Sequence, residues 1–154
     1  MKSKKSFEYE KILVGYDGRP SSRQALKRAL HIAKGRKTEI TVFRVLHKEV
    51  EIAEPLSSEE LEEVKRNYLD KLKREVERIV RREKVKGVRV NYDVEVGDPP
   101  EEILKYAEER GYDLIVVGRR NLGRFERFLI GSISSKIVNY AKNVDVLVVE
   151  PREE

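Results

Sequence analysis

Five short apolar runs alternate with stretches whose apolar residues recur every three or four positions, and this alternation constrains the fold more than any other feature. The first run, Lys11 to Asp17 (KILVGYD), is rich in branched aliphatic residues and closes on a Gly-Arg-Pro-Ser turn signal. The others are Glu39 to Leu46 (EITVFRVL), Val88 to Val96, Leu114 to Gly118 (LIVVG) and Val144 to Glu150 (VDVLVVE). After the first run, Leu26, Ala29, Leu30 and Ala33 fall at i, i+3, i+4 and i+7, the stripe of an amphipathic helix over Ser21 to Lys34. Ser21 or Ser22 is its expected cap and Gly35 its stop. After the second run, Ser57-x-x-Glu60 forms a capping box, and Leu61, Val64, Tyr68, Leu72, Val76, Ile79 and Val80 carry a long helix to about Lys84. Gly97-Asp98-Pro99-Pro100 then opens a third helix, with Pro100 in its first turn and Ile103, Leu104 and Ala107 facing inward. Ser132 to Ala141 supplies the last helix.

Such alternation demands right-handed crossovers and a mainly parallel sheet with helices on both faces. The four consecutive apolar residues of LIVVG have the pattern of a strand buried on both sides. With 154 residues and no internal repeat or linker, the expectation is one α/β domain over 1–154, in which 1–9 and 152–154 are flexible tails.

Composition removes several function classes. The chain has no cysteine and only two histidines, His31 and His47, which excludes disulfides, thiolate metal sites and cysteine nucleophiles and argues against a histidine-rich metal centre. The opening MKSKKSFEYE is too charged for a signal peptide, and no apolar run approaches the ~18 residues of a membrane span. The expected protein is soluble and cytoplasmic, with no membrane partner. Basic residues number 33 against 28 acidic, a net +5 that is mostly mixed in sign. Nucleic acid binding is not compelled by that charge, and no aromatic stacking motif of an RNA-binding fold accompanies the arginines. Heavy use of Lys, Glu and Arg with one methionine fits the surface ion-pair networks of a thermophilic protein.

In open parallel sheets, ligands gather beyond the carboxyl ends of the strands where the winding reverses. If the chain starts at the centre, winds out through strands two and three and returns to place four and five on the other side, strands one and four become neighbours. Their exit loops, Asp17 to Ser21 and Gly118 to Ser132, then share one crevice. Its chemistry suits a nucleotide. Gly118 leaves a strand where a side chain would block a phosphate, and Gly131-Ser132 opens a helix whose free N–H groups and positive dipole end receive oxyanions. Arg119, Arg120, Arg124 and Arg127 add positive charge, and Asp17 is placed to meet ribose hydroxyls or a metal bridged to phosphates. Plain structural readings stand beside these. Asp17-Gly18 is also a turn signal, Gly118 and Gly123 are candidate turn glycines, and Gly131-Ser132 can be an ordinary helix entry. His31 reads as structural, while His47 lies nearer the crevice. Gly118-x4-Gly123 is followed by Arg124-Phe125 where a Walker loop requires Lys-Ser/Thr, and no Gly-x-Gly-x-x-Gly follows the first strand. No Ser/His/Asp or Cys/His set is visible, so strong catalysis is not expected.

From about Lys11 to Pro151 the chain resembles the universal stress protein family. The nucleotide-binding branch of that family carries Gly-x2-Gly-x9-Gly-Ser/Thr after its fourth strand. Here Gly118-Arg119-Arg120-Asn121 is followed by nine residues and Gly131-Ser132, so that Asn121 stands at the second glycine. Asp17, the Phe43-Arg44-Val45 segment, the Gly97-Asp98-Pro99 turn and the closing VLVVE strand match as well. The resemblance implies a Rossmann-like, adenine-nucleotide-alpha-hydrolase-like sheet of order 3-2-1-4-5. It also implies a homodimer through the last strand, with Val144, Val146 and Val148 on it, and a regulatory or stress-protective module that binds ATP (or ADP or AMP) and hydrolyses it slowly at most. Phosphates would meet Gly118, Arg119, Asn121, Gly131, Ser132 and Ile133; ribose and an accompanying Mg or Mn ion would meet Asp17; adenine would meet Val45. Asparagine is the non-glycine residue most tolerant of left-handed backbone, so Asn121 is compatible with the loop and its amide is a further donor. A second branch lacks the loop and binds no ATP; a protein of that kind would act through protein–protein contacts.

Overall fold

The computed structural model describes residues 7–48, 51, 52, 54–119, 132–150 and 152. Its elements alternate along the chain: β1 (Lys11–Gly15), α1 (Pro20–Ala33), β2 (Glu39–His47), α2 (Ser58–Glu83), β3 (Arg89–Gly97), α3 (Pro99–Glu109), β4 (Leu114–Gly118), α4 (Ser132–Tyr140) and β5 (Asp145–Val149). All four strand pairings are parallel and the sheet order is β3-β2-β1-β4-β5, as expected.

Alternate strand residues supply two cores. Ile12, Val14, Ile40, Val42 and Leu46 pack with Leu26 and Leu30 of α1 and Leu72 and Val76 of α2. On the other face Leu13, Phe43, Ile115 and Val117 pack with Ile103 of α3 and Ile137 of α4. Central strands covered on both faces therefore read as unbroken apolar runs. Thr41 interrupts that pattern with a polar pair, its hydroxyl lying 2.6 Å from the Tyr112 hydroxyl in the interior. Tyr112→Phe should lower stability by about 1–3 kcal/mol, because a buried hydroxyl is left unpaired. Adding Thr41→Val should restore most of the loss. Urea denaturation of both variants checks this, and an unchanged midpoint for Tyr112→Phe alone would remove the pair from the stability account.

Helix boundaries follow local rules with one correction. The capping box holds: Glu60 N donates to Ser57 Oγ and Ser57 N donates to Glu60 Oε1, both at 3.1 Å. Gly35, at φ +73°, follows the C-cap Lys34 of α1. The cap of α1, however, is Arg19 rather than Ser21 or Ser22, and no side chain caps it. Pro20 presets the backbone of the first turn, and at N1 its missing N–H costs no helical hydrogen bond, so the helix starts earlier than the serines suggested. Ser22 is drawn inside instead. In α2 only Leu72, Val76 and Ile79 of the stripe are fully buried. Its 26 residues span ~39 Å at about 1.5 Å each, more than a nine-residue strand, so the turn bearing Leu61 and Val64 stays half-buried. At the other end the chain is tied down at Tyr9, inside the stretch expected as a tail: its hydroxyl donates to Asp145 Oδ2 at 2.8 Å and its carbonyl accepts from Thr38. Among the described residues no helix is long and apolar enough to cross a membrane.

Candidate functional site

Winding reverses between β1 and β4, so their exit loops part and leave a cleft of about 640 Å³ at the carboxyl ends of the strands. That volume is ordinary for a small-molecule or cofactor site. β1 and the turn after it contribute Gly15, Tyr16, Asp17 and Arg19, and α1 contributes Ser21 and Ser22. The end of β2 adds Phe43, Arg44, Val45 and His47, with Glu51 beyond it; Asp98 and the first turns of α3 add Pro99, Pro100 and Ile103. Val117 and Gly118 of β4 and Ile133, Ser134 and Lys136 of α4 complete the wall. Asp17, Val45, Gly118 and Ile133, far apart in sequence, thus line one cleft.

Other expected positions fare differently. Asn121, Gly131, Arg120, Arg124 and Arg127 lie outside the described residues, as does the side chain of Ser132, whose backbone opens α4. Arg119, expected at the phosphates, needs correction. Its N–H donates to Val149 O at 2.9 Å and its guanidinium to Glu150 Oε2 at 3.0 Å, so both groups are committed to the β5 side, and Arg119 does not line the cleft.

Asp17 serves two purposes at once. Its Oδ1 accepts from Arg19 N at 2.9 Å and from Ser22 Oγ at 2.8 Å, closing a turn that Gly18 permits at φ +84°. Its Oδ2 has a loose contact with Arg19 Nε at 3.9 Å and the side chain is half-exposed to the cleft. Behind the turn, Arg23 Nη1 donates to Gly18 O at 2.6 Å and the Tyr16 hydroxyl donates to Glu75 Oε2 at 3.1 Å, so α1 and α2 both hold the loop. Burial, then the Glu75 carboxylate, keeps the Tyr16 hydroxyl well above the usual phenol range, and it stays a neutral donor.

The glycines have separate causes. A Cβ on Gly118 would stand 2.2 Å from Ser21 O and 2.4 Å from Ser21 C, so the packing of α1 on β4 demands this glycine whether or not a ligand approaches. Gly15, not singled out from sequence, forms part of the floor: a Cβ there would press on Val117 at 3.1 Å and Ile103 at 3.2 Å. Its only sequence signal was a glycine at the end of the first apolar run. Ser134 and Lys136 were also missed, for they look like ordinary helix residues; Ser134 is buried and donates to Gly118 O at 3.3 Å.

At the β2 end, Arg44 Nη2 donates to Glu51 Oε2 at 2.8 Å and the guanidinium carbon sits 5.4 Å from the Tyr68 ring centre. Glu51 Oε1 accepts from His47 N at 3.0 Å, which fastens His47 and Glu51 together beside the cleft. Arg44 Nε is buried without a hydrogen-bond partner among the described residues. His31 lies elsewhere, 3.0 Å from Glu83 Oε1, and joins α1 to α2.

The cleft therefore mixes apolar and polar walls. Towards β2 and α3 an apolar patch of Phe43, Val45, Pro99, Pro100 and Ile103 lies beside Arg44, His47, Glu51 and Asp98, and the two prolines remove N–H groups from the first turn of α3. Towards α1 and α4 it is walled by Ser21, Ser22, Ser134, Arg19 and Lys136, with the apolar Ile133 among them. Among the described residues no cluster of three or more His, Asp or Glu could hold a metal ion, so a cation here would need oxygens from a ligand beside Asp17.

Comparison with known proteins agrees with this architecture. The family model described as the universal stress protein family matches residues 8–150. Universal stress protein YxiE of Bacillus subtilis is 31% identical over 149 residues, covering 92% of this chain and 99% of that protein. Among solved structures, a universal stress protein in complex with cAMP has a TM-score of 0.72 at 23% identity, covering 94% of this chain and 99% of its own. A universal stress protein from Archaeoglobus fulgidus in complex with dAMP has a TM-score of 0.61 at 23% identity, covering 92% and 98%. Both structures share the fold.

Proposed function

The chain belongs to the universal stress protein family, and on that footing we propose that its cleft binds an adenine nucleotide, ATP with Mg²⁺ or Mn²⁺, as a regulatory or stress-protective module with slow hydrolysis at most. The observation that carries this reading is an apolar patch and a helix N-terminal turn in one cleft. Val45 and Phe43, with the proline-marked entry of α3, make an apolar slot for a base, and the same cleft is lined by the first turns of α4, where N–H groups lack helical partners. Asp17 Oδ2 lies between them, where ribose hydroxyls or a phosphate-bound metal would meet it. Phosphates then rest against Gly118, Ser132 and Ile133, with Asn121 and Gly131 in the connecting loop. The cAMP and dAMP held by two proteins of the same fold support an adenine nucleotide as the ligand class.

The homodimer belongs to the same proposal. β5 is an edge of the sheet, and Val144, Val146 and Val148 on and beside it are half-buried, which suits pairing with a second copy. One observation favours a different reading, in which the protein acts through protein contacts without nucleotide. Gly118 is required by packing alone, so its presence says nothing for a phosphate.

Calorimetric titration of nucleotide-stripped protein with ATP and Mg²⁺ separates the two. Saturable binding in the micromolar range is expected. Absence of heat and of competition at millimolar ATP would move the chain to the non-binding branch.

A further inference from the structure

We infer that Arg19 and Lys136 read the length of the phosphate chain, so that the cleft selects nucleoside di- and triphosphates over monophosphates. The inference rests on the nucleotide reading of the cleft and names the ligand class within it. Among the described residues the lining holds three Lys or Arg side chains, Arg19, Arg44 and Lys136, with Arg119 outside it, and two of these four are already committed. Arg44 is paired with Glu51 at 2.8 Å, towards the β2 end, and Arg119 is paired with Glu150 at 3.0 Å, outside the lining. Arg19 and Lys136 remain.

Lys136 stands four residues after Ser132, on the same face of α4. Helical side chains lean towards the helix N-terminus, so its ammonium covers the turn whose N–H groups have no helical partner. Arg19 enters from the opposite wall as the residue before α1. Its contact with Asp17 at 3.9 Å is long and its side chain is 57% exposed, so the guanidinium can turn to a ligand at little loss. The lining also includes Ser21, Gly118 and Ser134, none of them charged. A terminal monophosphate carries roughly two negative charges, which a helix N-terminus accommodates without a cation. Each further phosphate adds anionic oxygens that a bound Mg²⁺ coordinates only in part, and a cation on either wall is the partner for the rest. Because both side chains reach solvent, the added attraction is screened by salt.

Calorimetry with ATP and AMP, each with Mg²⁺, on wild type, Arg19→Gln, Lys136→Gln and the double variant tests this. Wild type should prefer ATP by at least about 30-fold, from two charge-assisted contacts. Each single change should weaken ATP about tenfold and the double about 100-fold, while AMP stays within about threefold. The ATP preference should also shrink as salt is raised. Retained AMP binding doubles as the check that each variant is folded. Equal loss of ATP and AMP, an unchanged ATP affinity in the double variant, or equal wild-type affinity for both nucleotides would each overturn the inference and leave nucleotide binding standing. Wild type that binds neither would overturn the nucleotide reading itself.

Discussion

Gly118→Ala should lose at least about 3 kcal/mol of stability, at the upper end of what overpacking does, because the atoms in the way are backbone. The new methyl would stand 2.2 Å from the carbonyl oxygen of Ser21 and 2.4 Å from its carbon. Relief requires α1 to lift from β4, and α1 buries Ala25, Leu26, Ala29 and Leu30 in the first core. Gly97→Ala is the control. Its methyl would meet Glu102 Cγ at 2.7 Å, but that side chain can rotate away, so the change should stay below about 1 kcal/mol. Urea denaturation of the pair decides the matter. If Gly118→Ala were as mild as Gly97→Ala, the glycine would be there for a ligand and not for the helix.

Phe43→Ala is the second large effect and joins stability to binding. The ring is 1% exposed, stacks on Tyr106 with centroids 4.2 Å apart, and also forms part of the cleft floor. Tyr106 is itself held, its hydroxyl donating to Asp93 Oδ2 at 2.8 Å and the Arg110 guanidinium lying 3.8 Å from its ring centre. Removing the ring should cost about 3–5 kcal/mol through lost burial and a residual cavity. Phe43→Leu keeps most of the apolar volume and should cost less than about 1.5 kcal/mol. The same truncation opens the apolar end of the cleft, so ATP affinity should fall with stability. An Ala variant that is less stable yet binds ATP as tightly as wild type would mean that the base does not lie against β2.

Both predictions depend on contacts that local pattern could not supply. Asp17 and Gly118 were legible as marked loop residues, and strand alternation carried the argument that their loops share a crevice. Val45 and Ile133 were legible only through the family motif, since nothing in their own spacing distinguishes them from core residues. Arg119 looked like its loop neighbours, but its guanidinium has an anion, Glu150, 31 residues along the chain. Ser22 looked like a helix cap; with Pro20 starting the helix first, its hydroxyl turned to Asp17 instead. Lys136 became a site residue only because α4 runs away from the cleft with its first turn at the mouth.

Sequence alone determined the five strands, the four helices, their order and the family, because a period of two or 3.6 and the residues that start and stop a helix are properties of short stretches. Tertiary structure alone decided which charges are already paired, which glycine is required by a neighbouring helix, and which cations face the cleft. Hydrogen bonds and Coulomb attraction act over a few ångströms of space, and residues separated by tens of positions reach that distance only after the sheet has brought them together.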